Sequence, residues 1–336
     1  MKWIGLVIAT TVGAGYASGR ELWEFFGAES GLAIMIFTVI FSIGCYVILT
    51  LSHEKKSEHY LPVLEELIGK RFAAIYDKGI MLYLFTTLFV MISGSGATFT
   101  IYEVPYVVGS FGIIILLVVV LPFGIEGIHS INKLLLPLLI IGLATVLILF
   151  VWNENINLFY NFKEQSNWSS SIPFTSLNIL PLIAILGAIG KEIESKKEIY
   201  IASIGSGLLL GGLSYIYNSS LVHIADQIFF YEIPLFAILN GYPIQMFVIM
   251  SILLWFAIYT TAIACLFSLI ARLKEKIKMN HVMIGVSIIV LALPFTFLKF
   301  STLVSILYPL YGVINLYVLA SIVINPIIRR AKLKEI

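Results

Sequence analysis

Charge is scarce in this sequence of 336 residues, since only 12% of them are Asp, Glu, Lys or Arg, whereas 60% are hydrophobic. The mean hydropathy of +1.00 excludes an ordinary soluble domain, in which about 25% of residues are charged. The formal net charge of +2 is too small to indicate a nucleic-acid partner. Cysteine is scarce too. Cys45 and Cys265 lie in separate apolar runs, which indicates small apolar side chains rather than a disulfide framework.

The apolar runs also lack the residue groups that membrane-embedded catalysis requires. They contain no paired carboxylates, no His and Glu set with metal-ligand spacing, and no nucleophile next to a base. We therefore expect neither an enzyme nor a protein with a resident cofactor. The composition instead predicts a protein that lies in the lipid bilayer.

Long apolar runs are abundant. A bilayer core of about 30 Å needs roughly 20 apolar residues in a helix, and the sequence predicts ten such spans in an all-α integral membrane protein. They cover residues 3–26, 31–51, 75–98, 104–121, 133–152, 173–190, 199–222, 243–273, 282–298 and 302–328.

Basic residues predict the orientation of the spans, because cytoplasmic loops are enriched in Lys and Arg. Ten spans place both termini on one side of the membrane, which we expect to be the cytoplasmic side of the cell membrane. That side receives Lys2, Lys55, Lys56, Lys70, Arg71, Lys78, Lys133, Lys191, Lys196, Lys197, Arg272, Lys274, Lys276, Lys278, Arg329, Arg330, Lys332 and Lys334. The opposite side receives only Arg20, Lys163 and Lys299.

The first apolar run is interrupted near its middle by glycine. Each interior glycine weakens a helix by about 1 kcal/mol relative to alanine, and in lipid the freed backbone groups are tolerated only around a protein-enclosed cavity. Such a break exposes N–H groups at the start of the second half and C=O groups at the end of the first. The residues expected to bind a solute here are Gly13, Ala14, Gly15, Tyr16 and Ser18.

The sixth run repeats the pattern, because glycines interrupt it and charged residues follow. Each break opens a unit of five spans, and an odd number of spans inverts the second unit relative to the first. Matched breaks in two such halves indicate the central site of a transporter; glycine-lined helix contacts are the alternative. We expect repeats over residues 1–152 and 172–336, joined by an extracellular loop, 153–171. Gly187, Ala188 and Gly190 complete the expected solute site.

The eighth run carries two adjacent threonines. Thr260 and Thr261 follow Ala257 by three and four positions, on the same face of a helix. Their hydroxyls and the Ala257 carbonyl offer oxygen ligands without a carboxylate, which suit a weakly held monovalent cation rather than calcium or magnesium. The alternative is that both hydroxyls bond back to the preceding turn of the helix.

This plan of ten spans with broken first and sixth helices resembles the leucine-transporter fold of the amino acid–polyamine–organocation superfamily. Gly13-Ala14-Gly15 is similar to the turn of the unwound first helix, and the Ala257, Thr260 and Thr261 pattern to the sodium motif of the eighth helix. The opening motif from Gly13 to Glu21, with Phe25-Phe26-Gly27, resembles more closely the YkvI-type bacterial membrane proteins. The sodium ligands implied by the resemblance are the carbonyls of Ala9, Val12 and Ala257 and the hydroxyls of Thr260 and Thr261.

The chain departs from the better-known sodium-coupled members of that fold. Those members pair an arginine after the first break with an acid on the tenth helix, whereas the tenth run here contains no Asp or Glu. The resemblance implies that Arg20 pairs locally with Glu21 or Glu24, or that Tyr308 or Tyr311 forms an aromatic gate. Ser93 occupies the depth at which those members carry a substrate-binding tyrosine, and we expect it to contact the solute. The expected gating residues are Arg20, Glu21, Lys191, Glu192 and Tyr308.

Together these features predict a secondary active transporter of a small, amino-acid-like solute that is coupled to sodium and works by alternating access. A proton-coupled transporter, or a solute sensor on a transporter scaffold, is the alternative. The expected partners are the solute, sodium and the lipid bilayer, whereas the sequence names neither the solute nor the oligomeric state.

Overall fold

A computed structural model of the chain describes residues 2–123, 126–158, 165–274 and 278–334. Lys163 and Lys276 lie outside the described residues. So do the side chains of Lys133, Arg329, Arg330, Lys332 and Lys334.

Within those ranges the chain forms helices and no strand. The α-helices are α1 (Lys2–Thr11), α2 (Ala14–Ala17), α3 (Arg20–Phe25), α4 (Gly31–Lys55), α5 (Leu61–Thr100), α6 (Tyr106–Val120), α7 (Glu126–Asn153), α8 (Ser171–Leu186), α9 (Lys196–His223), α10 (Ala225–Ile228), α11 (Pro234–Leu239), α12 (Ile244–Lys274), α13 (His281–Ala292), α14 (Phe300–Ile314) and α15 (Leu316–Lys334). Short 3₁₀ turns cover Leu121–Phe123, Trp168–Ser170, Gly190–Glu192 and Leu293–Phe297.

In the described part of the chain, seven helices are long and apolar enough to cross a membrane, namely α4, α5, α6, α7, α8, α9 and α12. The bent pair formed by α13 with its 3₁₀ extension and by α14, at an angle of 108°, raises that number to eight. The chain is therefore a multi-pass membrane protein, as predicted. The other predicted spans are divided, because the first run consists of three short helices and the tenth of two.

Helix α5 begins well before the run from which it was predicted. Residues 61–74 are part of it, although Gly69 adopts a left-handed φ of 77° and kinks the helix there. Val63, Leu64 and Ile68 are buried at helical spacing. An amphipathic segment of this kind has too many charged residues to register as an apolar run, so the sequence placed it in a loop.

Small residues bring α4 and α9 into close contact. A Cβ atom on Gly207 would lie 1.9 Å from Ser42 Oγ, and one on Gly211 would lie 2.0 Å from Thr38 Oγ1. Membrane helices approach closely through such pairs of glycines four positions apart, because packing rather than water exclusion holds them together. This contact fixes the scaffold against which the first run lies.

A cluster of phenylalanine rings anchors the end of the first run that contains α3. Phe174 of α8 lies with its ring centroid 4.5 Å from that of Phe26, 5.4 Å from that of Phe25 and 4.7 Å from that of Phe37. Tilted and edge-to-face pairs of this kind contribute about 0.5–1.5 kcal/mol each beyond the burial of their area. The cluster therefore holds α3 against α4 and α8.

The α4–α9 contact gives a first prediction, on stability. Gly211→Ala should lower the melting temperature of the purified protein in detergent, since overpacking typically costs about 1–3 kcal/mol. Gly212→Ala is the matched control, because a Cβ there meets nothing within 4 Å. Equal melting temperatures for the two variants would contradict the close contact.

Candidate functional site

The first apolar run loses its helical hydrogen bonds after Val12, whose N–H still donates to Ile8 O at 2.7 Å. The Gly13 N–H donates to Thr11 O at 2.9 Å, whereas a regular helix would direct it to Ala9 O. Within the described residues the carbonyls of Ala9 and Val12 accept no hydrogen bond. Buried backbone carbonyls are almost always paired, so these two oxygens are available to a ligand.

The run is interrupted again at Ser18 and Gly19. Gly19 has a left-handed φ of 80°, which glycine adopts without the usual steric cost. The Tyr217 hydroxyl donates to Ala17 O at 3.0 Å, and a Cβ on Gly19 would lie 2.5 Å from that hydroxyl oxygen. Tyr217 therefore occupies the space that a larger side chain at this turn would need.

Ser18 supports the turn. Its hydroxyl donates to Gly15 O at 2.7 Å and accepts from the Arg20 N–H at 3.2 Å. Its carbonyl accepts from the Leu235 N–H at 3.0 Å, which joins helix α11 to the first run. Ser18 is fully buried, and its binding of the solute stays a prediction.

Gly15 lies against two oxygen-bearing side chains from α3 and α14. A Cβ on Gly15 would lie 2.9 Å from the Tyr308 hydroxyl oxygen and 3.0 Å from Glu21 Oε2. Glu21 and Tyr308 are 6% and 7% exposed. Two of the predicted gating residues thus meet at the centre of the predicted solute site, and the glycine is what allows them to approach.

Tyr16, the next residue, points away from this group. Its hydroxyl lies 2.8 Å from Ser214 Oγ on α9, and the side chain is fully buried. Tyr16 therefore fixes α2 to α9, and only its backbone N–H remains as a candidate contact for the solute.

The threonines of α12 both bond back to the preceding turn. The Thr261 and Thr260 hydroxyls donate to Ala257 O at 2.8 and 3.3 Å. Three oxygens thus gather on one face of α12, and α2 packs against this helix. A hydroxyl that donates one hydrogen bond keeps its lone pairs as an acceptor, so this arrangement is compatible with a cation.

The glycines of the sixth run lie after the end of α8 and do not interrupt it. Helix α8 is continuous from Ser171 to Leu186, and Gly187 follows its end. The Ser57 hydroxyl donates to Gly187 O at 2.6 Å, and the Gly190 N–H donates to Ser57 O at 2.9 Å. A Cβ on Gly190 would lie 2.0 Å from Ser52 O. Close packing between two chain segments gives these glycines a structural role, whereas the solute contact of Gly187, Ala188 and Gly190 stays a prediction.

The charged residues after those glycines form ion pairs at the same end of the bundle. Lys191 Nζ lies 2.7 Å from Glu58, and Lys2 Nζ lies 2.7 Å from Glu192. The hydrogen bond from Lys191 lowers the pKa of the Glu58 carboxyl. Since Lys2 begins α1, these pairs lie about 15 Å along the helix from the first break, at 1.5 Å per residue.

Arg20 forms a local ion pair, which is the first of the two arrangements that the resemblance implied. Its guanidinium lies 2.7 Å from the Glu24 carboxylate, one helical turn further on. Glu21 accepts instead from Asn178 Nδ2 at 3.3 Å. Arg20 and Glu21 thus belong to different contacts, although they are neighbours in sequence.

The Ser93 hydroxyl forms hydrogen bonds within the protein. Its hydroxyl donates to Leu298 O at 2.7 Å and also bonds the Tyr106 hydroxyl. The α5 residues that face α14 are Tyr83, whose ring centroid lies 5.1 Å from that of Tyr311, and Thr86, whose hydroxyl lies 2.8 Å from the Tyr311 hydroxyl. Sequence reasoning missed both, although their spacing of three residues on one helix face was a usable signal.

Among the described residues, no three His, Cys, Asp or Glu side chains come together as a group that could hold a metal ion. The unpaired backbone oxygens of the first break are the carbonyls of Ala9 and Val12, and those gathered on α12 are one carbonyl and two hydroxyls. The carboxylate of Glu21 lies beside Gly15.

These helices form a known architecture. MhsT, whose crystal structure was solved in complex with L-phenylalanine, superimposes with a TM-score of 0.61, over 95% of this chain and 87% of MhsT, at 15% sequence identity. The chain is a membrane protein of the leucine-transporter-like fold, as the sequence predicted.

The relatives in sequence specify the family. YyaD of Bacillus subtilis (strain 168) is 45% identical over 332 residues, which span 99% of this chain and 98% of YyaD. The membrane protein YkvI of the same organism is 25% identical over 97% of this chain and 96% of its own length. The chain belongs to the family of YyaD and YkvI, which confirms the resemblance of its opening motif. A scan against protein-family models gave no match.

The contact of Gly15 with Tyr308 gives a second prediction. Gly15→Ala should destabilise the protein by about 1–3 kcal/mol, because the added methyl overpacks against the Tyr308 ring. Gly13→Ala is the matched control, since a Cβ on Gly13 meets nothing within 4 Å. The measurement is a double-mutant cycle with Tyr308→Leu, in which the effect of Gly15→Ala should shrink. Strict additivity would show that the two residues do not touch.

Proposed function

We propose that the protein is a secondary active transporter that moves a small, amino-acid-like solute together with sodium by alternating access. The observation that carries this proposal is the helix break at Val12 and Gly13, whose unpaired carbonyls adjoin a segment packed on α12. The likeness in fold to MhsT, which was crystallised with L-phenylalanine, supports an amino-acid-like solute.

The proposal assigns ten spans in two inverted units of five, over residues 1–152 and 172–336. The first span comprises α1, α2 and α3, and the tenth comprises α14 and α15. The hydrogen bonds from Asn315 N to Tyr311 O and from Leu319 N to Asn315 O support a tenth span that continues across the break. Counterparts in the two units pack on one another: α1 on α8, α4 on α9 and α5 on α12. That is the pairing expected of inverted repeats around a central site.

The proposed orientation places both termini in the cytoplasm. The ion pairs join residues assigned to the same side. Lys2 and Lys191 pair with Glu192 and Glu58 on the proposed inner side, whereas Lys299 lies 3.8 Å from Glu232 on the proposed outer side. In the proposal the predicted loop at residues 153–171 is extracellular, like the segment that carries α10 and α11.

In this scheme sodium is cargo, and its proposed ligands are the carbonyls of Ala9, Val12 and Ala257 and the hydroxyls of Thr260 and Thr261. The residues fit a monovalent cation, because the two carbonyls of the first run are unpaired and the α12 group consists of neutral oxygens. An ion held by both segments would tie the first run to α12. Its binding would then favour one of the two sides of the access cycle.

The third prediction tests sodium directly and requires no known solute. Replacing potassium or choline with sodium at constant ionic strength should raise the melting temperature of the wild-type protein, since a ligand stabilises the state that binds it. Thr260→Val and Thr261→Val remove one oxygen each and should weaken sodium binding at least tenfold, or about 1.4 kcal/mol.

The control for these variants is Thr145→Val. Thr145 is exposed on α7, and its hydroxyl bonds back to Ile141 O at 2.8 Å. Indifference of the wild type to sodium would defeat sodium coupling, and a response to pH in its place would favour the proton-coupled alternative. Solute binding without uptake into proteoliposomes would favour a sensor.

The fourth prediction concerns topology. With Cys45 and Cys265 replaced by alanine, single cysteines at Glu103 and Lys274 should react with a membrane-impermeant thiol reagent from opposite sides of the cell membrane. Both positions are exposed. Glu103 lies between the third and fourth predicted spans, on the proposed outer side, and Lys274 follows the eighth, on the proposed inner side. Labelling of both from the same side would reject the ten-span assignment.

A further inference from the structure

The sodium scheme leaves the buried carboxylate of Glu21 without a role. Glu21 is 6% exposed, and its Oε1 accepts from Asn178 Nδ2 at 3.3 Å, a long hydrogen bond. Among the described residues no Lys, Arg or His lies within ion-pair distance of the Glu21 carboxylate. The neighbouring Arg20 pairs with Glu24 instead. A carboxylate in this position lacks a counter-charge from the protein.

Such an arrangement is expensive for a membrane protein. Removing an ionised side chain from water without a partner costs several kcal/mol, and ionisable residues within membrane bundles mark ligand or ion pathways by default. Asn178 supplies little compensation, because the same amide group also donates to Phe174 O at 3.0 Å. The structure thus keeps an acceptor for positive charge at the first break.

The second oxygen of Glu21 faces the solute site. Oε2 lies 3.0 Å from the position of a Cβ on Gly15, and the Tyr308 hydroxyl oxygen lies 2.9 Å from the same point. Tyr308 is 7% exposed, and its hydroxyl makes no hydrogen bond to any described residue. Two acceptor oxygens without partners, from α3 and α14, therefore converge beside the bare backbone of Gly15.

We propose that Glu21 binds the ammonium group of the transported solute, with the Tyr308 hydroxyl as a second acceptor, so that the substrate class is the primary amines, amino acids among them. An ammonium carries three donors on a compact centre, which suits two acceptors beside a residue without a side chain. The inference rests on the proposed function and deepens it, because the amine becomes the feature that the site selects.

The test uses matched sets of probes. For each standard side chain, the set is the L-amino acid, its decarboxylated amine and its deaminated acid; for phenylalanine these are L-phenylalanine, phenethylamine and 3-phenylpropanoate. Binding to the full-length protein is measured by thermal shift in sodium. At least one amine-bearing probe should stabilise the wild type, and its deaminated counterpart should not.

Glu21→Gln should then weaken the amine-bearing probe at least tenfold, whereas Glu103→Gln, an exposed carboxylate outside the site, should not. Gly15→Ala offers a second route, because its methyl would fill the space beside Oε2. It should lower amine affinity and leave stabilisation by sodium in place. The ratio of amine to deaminated binding within one variant cancels any general loss of stability.

Three results would overturn the inference: no amine-bearing probe binds, a deaminated acid binds as well as its parent, or Glu21→Gln leaves amine affinity unchanged. Loss of the sodium response in Glu21→Gln with amine selectivity intact would also overturn it, since the carboxylate would then serve sodium. Sodium-dependent uptake of a deaminated acid would reject this inference and keep the proposed function. Amine binding that depends on Glu21 but not on sodium would keep this inference and reject the sodium coupling of the proposed function.

Discussion

The rest of this structure depends on one missing backbone hydrogen bond, the helical bond from Gly13 N–H to Ala9 O. In lipid every N–H and C=O must find a partner inside the protein, yet Gly13 turns its N–H to Thr11 O and leaves Ala9 O unpaired. Contacts with the neighbouring helices stabilise the first run despite this unpaired carbonyl. The phenylalanine cluster holds α3, Tyr16 and Tyr217 bind the run to α9, and the glycine contact between α4 and α9 supplies a firm support. The scaffold thus keeps a segment irregular that would otherwise become a plain helix.

The sequence predicted the membrane class from its composition and an interruption of the first run from its glycines, and the resemblance of its opening motif indicated the family. It could not distinguish two uses of glycine. Gly13 lies at a helix break, whereas Gly190 allows the backbone at Ser52 to approach within packing distance. The two look alike in one dimension, since the neighbour that decides the matter lies more than a hundred positions away. For the same reason Ser93 looked suitable by depth, although its hydroxyl is taken by Leu298 O.

The residues that converge on Gly15 combine local and remote information. Glu21 follows the break directly and was recognisable as a candidate, but its separation from Arg20 depends on Glu24 one turn later. Tyr308 lies far along the chain from Glu21, and its contact becomes evident only when α14 packs on α3 and α8. Side chains from distant parts of the sequence therefore meet at Gly15, and no single segment contains the whole group.

The bond from the Leu235 N–H to Ser18 O has a consequence for kinetics. It joins the buried helix α11 to Ser18 of the first run, so any displacement of α3 away from α11 has to break this bond or carry α11 along. In the proposed access cycle, α11 therefore moves together with the first run. Substitutions in Pro234–Leu239 would then change the rate of that movement, although none of these residues would contact the solute.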